Sequence, residues 1–220
     1  MSHHLEQLTT PMVASSAVTD PATSTRTLPV ELWLLVLDHL DYAALHKASR
    51  SSKLFKSLIQ DKRFDQILFR SCPPKQPVKL DTPVSIHPLL QATDCIFTGR
   101  RAIAFWDGTE HTAFEYPAVD EYATFPAFTT IELIVQSAVV VSDKAGVTVR
   151  RVLESLGDYW GAKPPAWFLD QQSELLDWIP RDEVTNQVLL YEHNGWTGWN
   201  APAVRFGGRA VMLQAGPYDS

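Results

Sequence analysis

Leu28-Pro29-Val30-Glu31-Leu32-Trp33-Leu34-Leu35-Val36-Leu37-Asp38-His39-Leu40-Asp41 is the stretch on which the reading of this chain turns. Proline is tolerated in the first helical turn, where its missing N–H would have no partner in any case. Glu31, in the same turn, suits the positive end of a helix dipole. The six apolar residues at 32–37, taken alone, fit a buried strand equally well. The start signal, together with the continuation through Asp38-His39-Leu40, predicts instead a helix of about three turns. Such a helix is apolar on nearly every side and has to be covered on nearly every side.

Outward from this stretch the helical signals continue. Asp41 is placed to cap a second helix over residues 42–48, with Leu45 and Ala48 on one face. Ser51 or Ser52 caps a third, in which Leu54, Phe55, Leu58 and Ile59 fall at helical spacing. Phe64, Ile67 and Leu68 suggest a short fourth. Three short helices of about thirty residues bury too small a fraction of their surface to cover the first one alone. Either a partner protein or the downstream part of the same chain covers the remainder.

The 220 residues leave room for a small helical unit and one ordinary domain. Hydrophobic residues at 45% and charged residues at 20% predict a packed core. No apolar run approaches the ~18 residues of a membrane helix, and the first residues lack the pattern of a secretory signal. Cys72 and Cys95 are the only cysteines and stand far apart, which excludes a zinc ribbon and speaks against a disulfide scaffold. A reducing compartment, cytoplasmic or nuclear, is the expectation. Residues 27–70 hold seven basic and five acidic side chains, whereas residues 71–220 hold eleven and eighteen. An acidic larger part argues against nucleic acid as its partner, because phosphate neutralisation needs clustered Lys and Arg.

Residues 1–26, rich in Ser, Thr, Ala and Pro, read as a disordered leader. Residues 71–82, around Pro73, Pro74 and Pro77, read as a semi-rigid linker. Beyond it, residues 83–220 read as a separate partner-binding domain. Strands are expected at 84–90, 95–97, 102–105 and 129–135, the last pairing with 139–141, and a turn at 143–146 follows. Thr148 caps an amphipathic helix through Val149, Val152, Leu153, Leu156 and Tyr159. A short helix at 173–178 and strands at 188–191 and 210–213 follow. Strands and helices mix without βαβ alternation, so the fold class is α+β.

Residues 28–59 resemble an F-box without a gap. The family's Leu-Pro entrance, Glu-Leu pair, aliphatic helix, Leu-Asp end, Ser-Lys pair and closing Leu-Ile are matched by Leu28, Pro29, Glu31, Leu32, Val36, Leu37, Leu40, Asp41, Leu45, Ser52, Lys53, Phe55, Leu58 and Ile59. Ala48, Arg50 and Ser51 depart from its aliphatic positions, and Phe55 from its commonest Trp. The resemblance implies a three-helix unit that docks on a Skp-type adaptor, and through it a cullin, in a ubiquitin ligase. It implies adaptor contacts from Leu28, Pro29, Leu32, Leu35, Val36, Leu40 and Leu45, some of which must face the unit's own core. Ile86-His87-Pro88-Leu89-Leu90 and the segment 146–153 are similar, more loosely, to fungal F-box proteins. A receptor of this kind works by proximity and needs no catalytic residue or cofactor.

The remaining residues offer no chemistry of their own. His87, His111 and His193 lack metal-ligand spacing, and His87 beside Pro88 reads as a packed or turn residue. No nucleophile elbow and no phosphate-cradling loop occurs, and Gly207-Gly208-Arg209 reads as a turn between strands. A helix-turn-helix DNA binder, with Arg50, Lys53 and Lys56 on phosphates, is the rival for the three helices. The weak charge of residues 27–70 argues against it. Trp196 and Trp199 are candidate substrate contacts, since Trp is enriched at binding hot spots, although the same rings serve equally to fill a core. The expected function is a substrate receptor of a Skp-cullin-F-box ubiquitin ligase that recruits an unidentified protein through residues 83–220. The alternative is an adaptor-binding scaffold acting outside the ligase.

Overall fold

The structure, a computed structural model, describes residues 28–95, 103–105, 110–171, 179–190 and 198–215. It opens with α1 (Val30–Leu37), α2 (Tyr42–Ser51) and α3 (Lys53–Leu58), followed by a 3-10 turn at Lys62–Phe64. α1 has eight residues and is shorter than expected. Past it, His39 N–H donates to Val36 O and Leu40 N–H to Leu37 O, so the chain tightens into i→i+3 turns before leaving the helix. Asp41 caps α2 by accepting from Ala44 N–H at 2.8 Å. Of the two serines, Ser52 caps α3, accepting from Leu54 N–H at 3.1 Å. The expected fourth helix is only the 3-10 turn, capped by Asp61.

The chain continues through β1 (Ser85–Ile86), α4 (Pro88–Gln91), β2 (Thr93–Asp94), β3 (Ile103–Phe105) and β4 (Glu110–Thr112). Two 3-10 turns, Ala113–Glu115 and Pro117–Asp120, lead to β5 (Thr124–Phe125), β6 (Thr130–Ile134) and β7 (Ala138–Ser142). α5 (Val149–Gly161), α6 (Ala166–Gln171), β8 (Ala203–Arg205) and β9 (Ala210–Gln214) complete it. The main sheet has the order β7-β6-β9-β8, with β6 and β9 parallel and the other pairs antiparallel. Mixed helices and sheets, helical at the N-terminal end and strand-rich beyond, agree with an α+β class.

Alternation in β6 turns Ile131 and Leu133 inward, opposite Val141 and Val139 of β7 and Val211 and Leu213 of β9. α5 lies against this layer, burying Val149, Val152, Leu153, Leu156 and Trp160. Thr148 caps it, accepting from Arg151 N–H. Two strand expectations change. The 84–90 run is strand only at Ser85–Ile86, because Pro88 starts α4. Residues 188–190 form a 3-10 turn instead of a strand, since a run this short carries no period of its own. The helix expected at 173–178 and most of the strand at 95–97 lie outside the described residues.

Residues 71–82 do not hold two cores apart. Leu37, Tyr42, Leu45, Ile59, Phe64, Leu68 and Phe69 belong to the same contiguous core as Ile86, Leu89, Leu90 and the sheet residues. The proline-rich stretch is laid onto the strand-rich part. Phe69 O accepts from Tyr122 N–H at 3.0 Å, and Val78 N–H donates to Gly208 O at 2.9 Å. Gly208 has φ +89, and a Cβ there would stand 1.9 Å from Val78 O. Only glycine lets the strap approach this closely. Composition sees the prolines but not the glycine that receives them.

Gly208→Ala is therefore expected to cost more than about 2 kcal/mol, strain at positive φ plus loss of the Val78 bond. Gly198, at φ +96 with nothing within 4 Å, is the control, and its Ala variant should lose only about 1 kcal/mol. Urea unfolding of both variants measures the difference, and equal losses would mean that the strap yields freely.

Candidate functional site

α1 carries two apolar stripes. Leu34 and Leu37, followed by Leu40, point inward and pack on the core, and Trp33 is half-buried. Leu32, Leu35 and Val36, spaced three and four apart, form an outward stripe, with Val30 in the first turn and Leu28 just before the helix also exposed. These five side chains are 45–56% exposed. α3 joins the same side through an edge-to-face contact of Trp33 with Phe55, ring centroids 5.0 Å apart, and its Leu54 is also exposed. A run of large apolar side chains left in water on one short element marks an interaction surface.

Of the seven adaptor contacts that the resemblance implies, Leu28, Pro29, Leu32, Leu35 and Val36 are exposed at this end of the molecule. Pro29 also starts the helix, its carbonyl accepting from Leu32 and Trp33 N–H. Leu40 is half-buried against the core. Leu45 has no exposed surface at all and belongs to the core, so it is removed from the contact set. The α2 face that carries it is turned toward the strand-rich part, and helical periodicity alone does not show which face turns inward. Val30 and Leu54 join the exposed set. Leu54 is among the apolar positions recognised at helical spacing, whereas Val30 carried no signal beyond its place in the opening stretch. Trp199 is half-buried against the core, and its backbone bridges to Ala215. Trp196 lies outside the described residues.

Between α2 and the strand-rich part lies a polar junction that the sequence did not signal. Tyr42 of α2, His87 at the N-cap of α4 and Glu121 meet in the interior. Tyr42 Oη–H donates to Glu121 Oε2 at 2.6 Å, and His87 Nε2 stands 3.0 Å from the same oxygen. Leu89 N–H donates to His87 Nδ1 at 3.0 Å. An accepting Nδ1 puts the proton of the neutral ring on Nε2, so the ring donates to Glu121. His46 Nε2 approaches Glu121 Oε1 at 3.4 Å. Burial alone would raise the Glu121 carboxyl, but contacts from His46, His87 and Tyr42 outweigh it and hold it down at about 2. Burial pushes the His87 imidazole below its ordinary value, against the pull of Glu121. Burial, then the adjacent carboxylate, pushes the Tyr42 phenol up.

Residues 27–67 match the model of the F-box domain. Curated proteins and solved structures give no match to the chain. The matched segment spans α1 to the end of the helical unit and supports an F-box protein. F-box domains bind Skp-type adaptors and through them cullins, generally as non-catalytic parts of E3 ligases. The exposed stripe of α1 therefore lies inside the F-box segment. The two stretches with the looser likeness fall on the His87 cap with α4 and on the Gly146 turn with the start of α5. Among the described residues no helix is long and apolar enough to cross a membrane, and no group of three or more His, Cys, Asp or Glu could hold a metal ion.

The junction sets an acid sensitivity. His87 is neutral when folded and more basic when unfolded, so its contribution is full above about pH 6.5 and fades as pH falls. Glu121 has a depressed folded value, so its contribution is full above about 4.5 and is lost toward about 2. Both act in the same direction. Urea midpoints are expected to fall from pH 7.5 to 5.5 and further by pH 4. His87→Asn, which keeps a capping side chain, should cost about 1–3 kcal/mol at pH 7.5 and flatten the drop between pH 7.5 and 5.5. An unchanged pH profile in that variant would remove His87 from this role.

Proposed function

We propose that this chain is a substrate receptor of a Skp-cullin-F-box ubiquitin ligase, with the outward stripe of α1 seating the adaptor and residues 83–220 recruiting the protein to be modified. The observation that carries this reading is the unspent apolar face. Leu32, Leu35 and Val36 lie on a helix whose inner stripe already anchors it to the core, and Leu28 stands exposed just before it, so burying them serves no internal purpose. It stabilises a complex instead, by roughly 1.5–3 kcal/mol for each large side chain fully covered. Proximity catalysis further needs a recruited protein held at a fixed distance from the adaptor. The Tyr42–His87–Glu121 junction supports this by tying α2 to the strand-rich part. The cytoplasm or nucleus is the proposed site of action, consistent with the free thiols of Cys72 and Cys95.

Leu32→Asp with Leu35→Asp is expected to lower affinity for a Skp-type adaptor more than about a hundredfold, with little change in urea stability because both side chains are already half exposed. Quantitative pull-down measures the first and denaturation the second. Undiminished capture by the folded double variant would defeat the assignment of this face. Proteins that accumulate on the double variant, and whose half-lives lengthen when the gene is deleted, are the recruited substrates. Partners with unchanged abundance and half-life in every condition would instead mark the chain as a scaffold outside the ligase.

A further inference from the structure

On the other side of the helical unit, a cavity of about 900 Å³ opens between α2, α3 and the 3-10 turn of Pro117–Asp120. Its size is that of ligand sites, which run to about 1,000 Å³. Lys47, Arg50, Lys53, Lys56 and Arg70 line it, and Glu121 is the single carboxylate in the lining. Lys47 and Arg50 lie three apart on α2, and Lys53 and Lys56 three apart on α3, so each pair shares a helix face. Arg70 is paired with Asp65 at 3.0 Å. The four helix cations have no ion-pair partner among the described residues. Glu121, held by Tyr42 and His87, sets one negative charge against the five cations of the lining.

This concentration of unpaired cations runs against a chain of net charge −6, and like charges held around one concavity attract a complementary anion. We infer that the cavity holds an acidic peptide segment of the recruited protein, a reading that rests on the receptor function proposed above. A peptide fits better than a nucleic acid. Single-strand binders need exposed aromatic platforms, and the two tyrosines that line this cavity, Tyr42 and Tyr116, are buried and half-buried. It also fits better than a small anion. The cations are spread along two helices and are not gathered into one cradle, as suits several carboxylates on an extended chain, where every second side chain recurs about 7 Å on.

The probe is a fluorescein-labelled peptide of about ten residues alternating Glu and Ser, with Gln in place of Glu as control. Both are titrated against the full chain, free and bound to a Skp-type adaptor. The Glu peptide is expected to bind and the Gln peptide not to. Binding should weaken roughly tenfold or more in Arg50→Glu/Lys56→Glu, and likewise when salt rises from about 50 to about 300 mM. Arg50→Gln/Lys56→Gln, less disturbing to the helices, should lose an intermediate share, and both variants should capture the adaptor as before. Equal binding of the two peptides, or binding indifferent to the substitutions, overturns the inference. So does tighter binding of a single-stranded oligonucleotide that the same substitutions abolish. Loss of adaptor capture in the charge variants would also overturn it, assigning the cavity to the adaptor. If the unaltered chain captures no adaptor yet binds the Glu peptide, the receptor reading fails while the acidic-peptide site stands.

Discussion

A carboxylate brought into a protein interior has to be met by donors, and Glu121 is met by three side chains from two separate stretches of chain. Tyr42 and His46 come from α2, and His87 comes from the start of α4. The backbone around it extends the same hub. Glu121 O accepts from Val149 N–H at the start of α5, Tyr122 N–H donates to Phe69 O, and Ala123 O accepts from His87 N–H. Leaving any of these groups unpaired in the interior would cost about 1–3 kcal/mol. The helical unit therefore cannot swing away from the sheet without breaking several buried bonds together. Its orientation is fixed by polar chemistry, while the surrounding apolar contacts supply most of the burial.

That fixation explains how α1 can leave so much apolar surface in water. An eight-residue helix is marginal alone. Here its inner stripe, Leu34 and Leu37, is held by the core, and the ring contact of Trp33 with Phe55 braces it against α3. The outer stripe carries no structural duty. Leu45 shows the opposite case, fully buried at the base of the same unit. An F-box pattern thus combines positions of two kinds, those that build the unit and those that face outward, and both are drawn from the same aliphatic residues.

This is also where the sequence ceased to be legible. Caps were readable because they are local. Asp41, Ser52 and Thr148 each act within three residues of themselves. The pairing of β6 with β7 was readable because a tight turn joins them. Which side of α2 turns inward was not, since Tyr42 on that helix meets His87 and Glu121, far along the chain. The role of residues 71–82 was hidden for the same reason. Proline content predicts an extended path but says nothing of Gly208, some 130 residues later, whose missing side chain makes room for Val78. His87 and Glu121 gave no signal because their partnership exists only after long-range folding.

Charge followed a similar course. Arg50, Lys53 and Lys56 looked in sequence like a weak phosphate-binding set, and counted over residues 27–70 they nearly cancel against nearby acids. In the fold the cancellation is uneven. Asp38 and Asp61 pair with Arg63, outside the cavity lining, and Asp65 takes up only Arg70 of that lining, so the four helix cations keep no acidic partner among the described residues. What remains there is a positive field within an acidic protein. Net charge governs the long-range encounter, whereas the local excess governs what is retained, because the Debye length of about 8 Å at physiological salt is shorter than the distance across the molecule. The helical unit then has two separate faces, one apolar on α1 and one cationic between α2 and α3. In the proposed receptor an adaptor seated on the first would leave the second free for the acidic segment, with the Glu121 hub tying α2 to the strand-rich part.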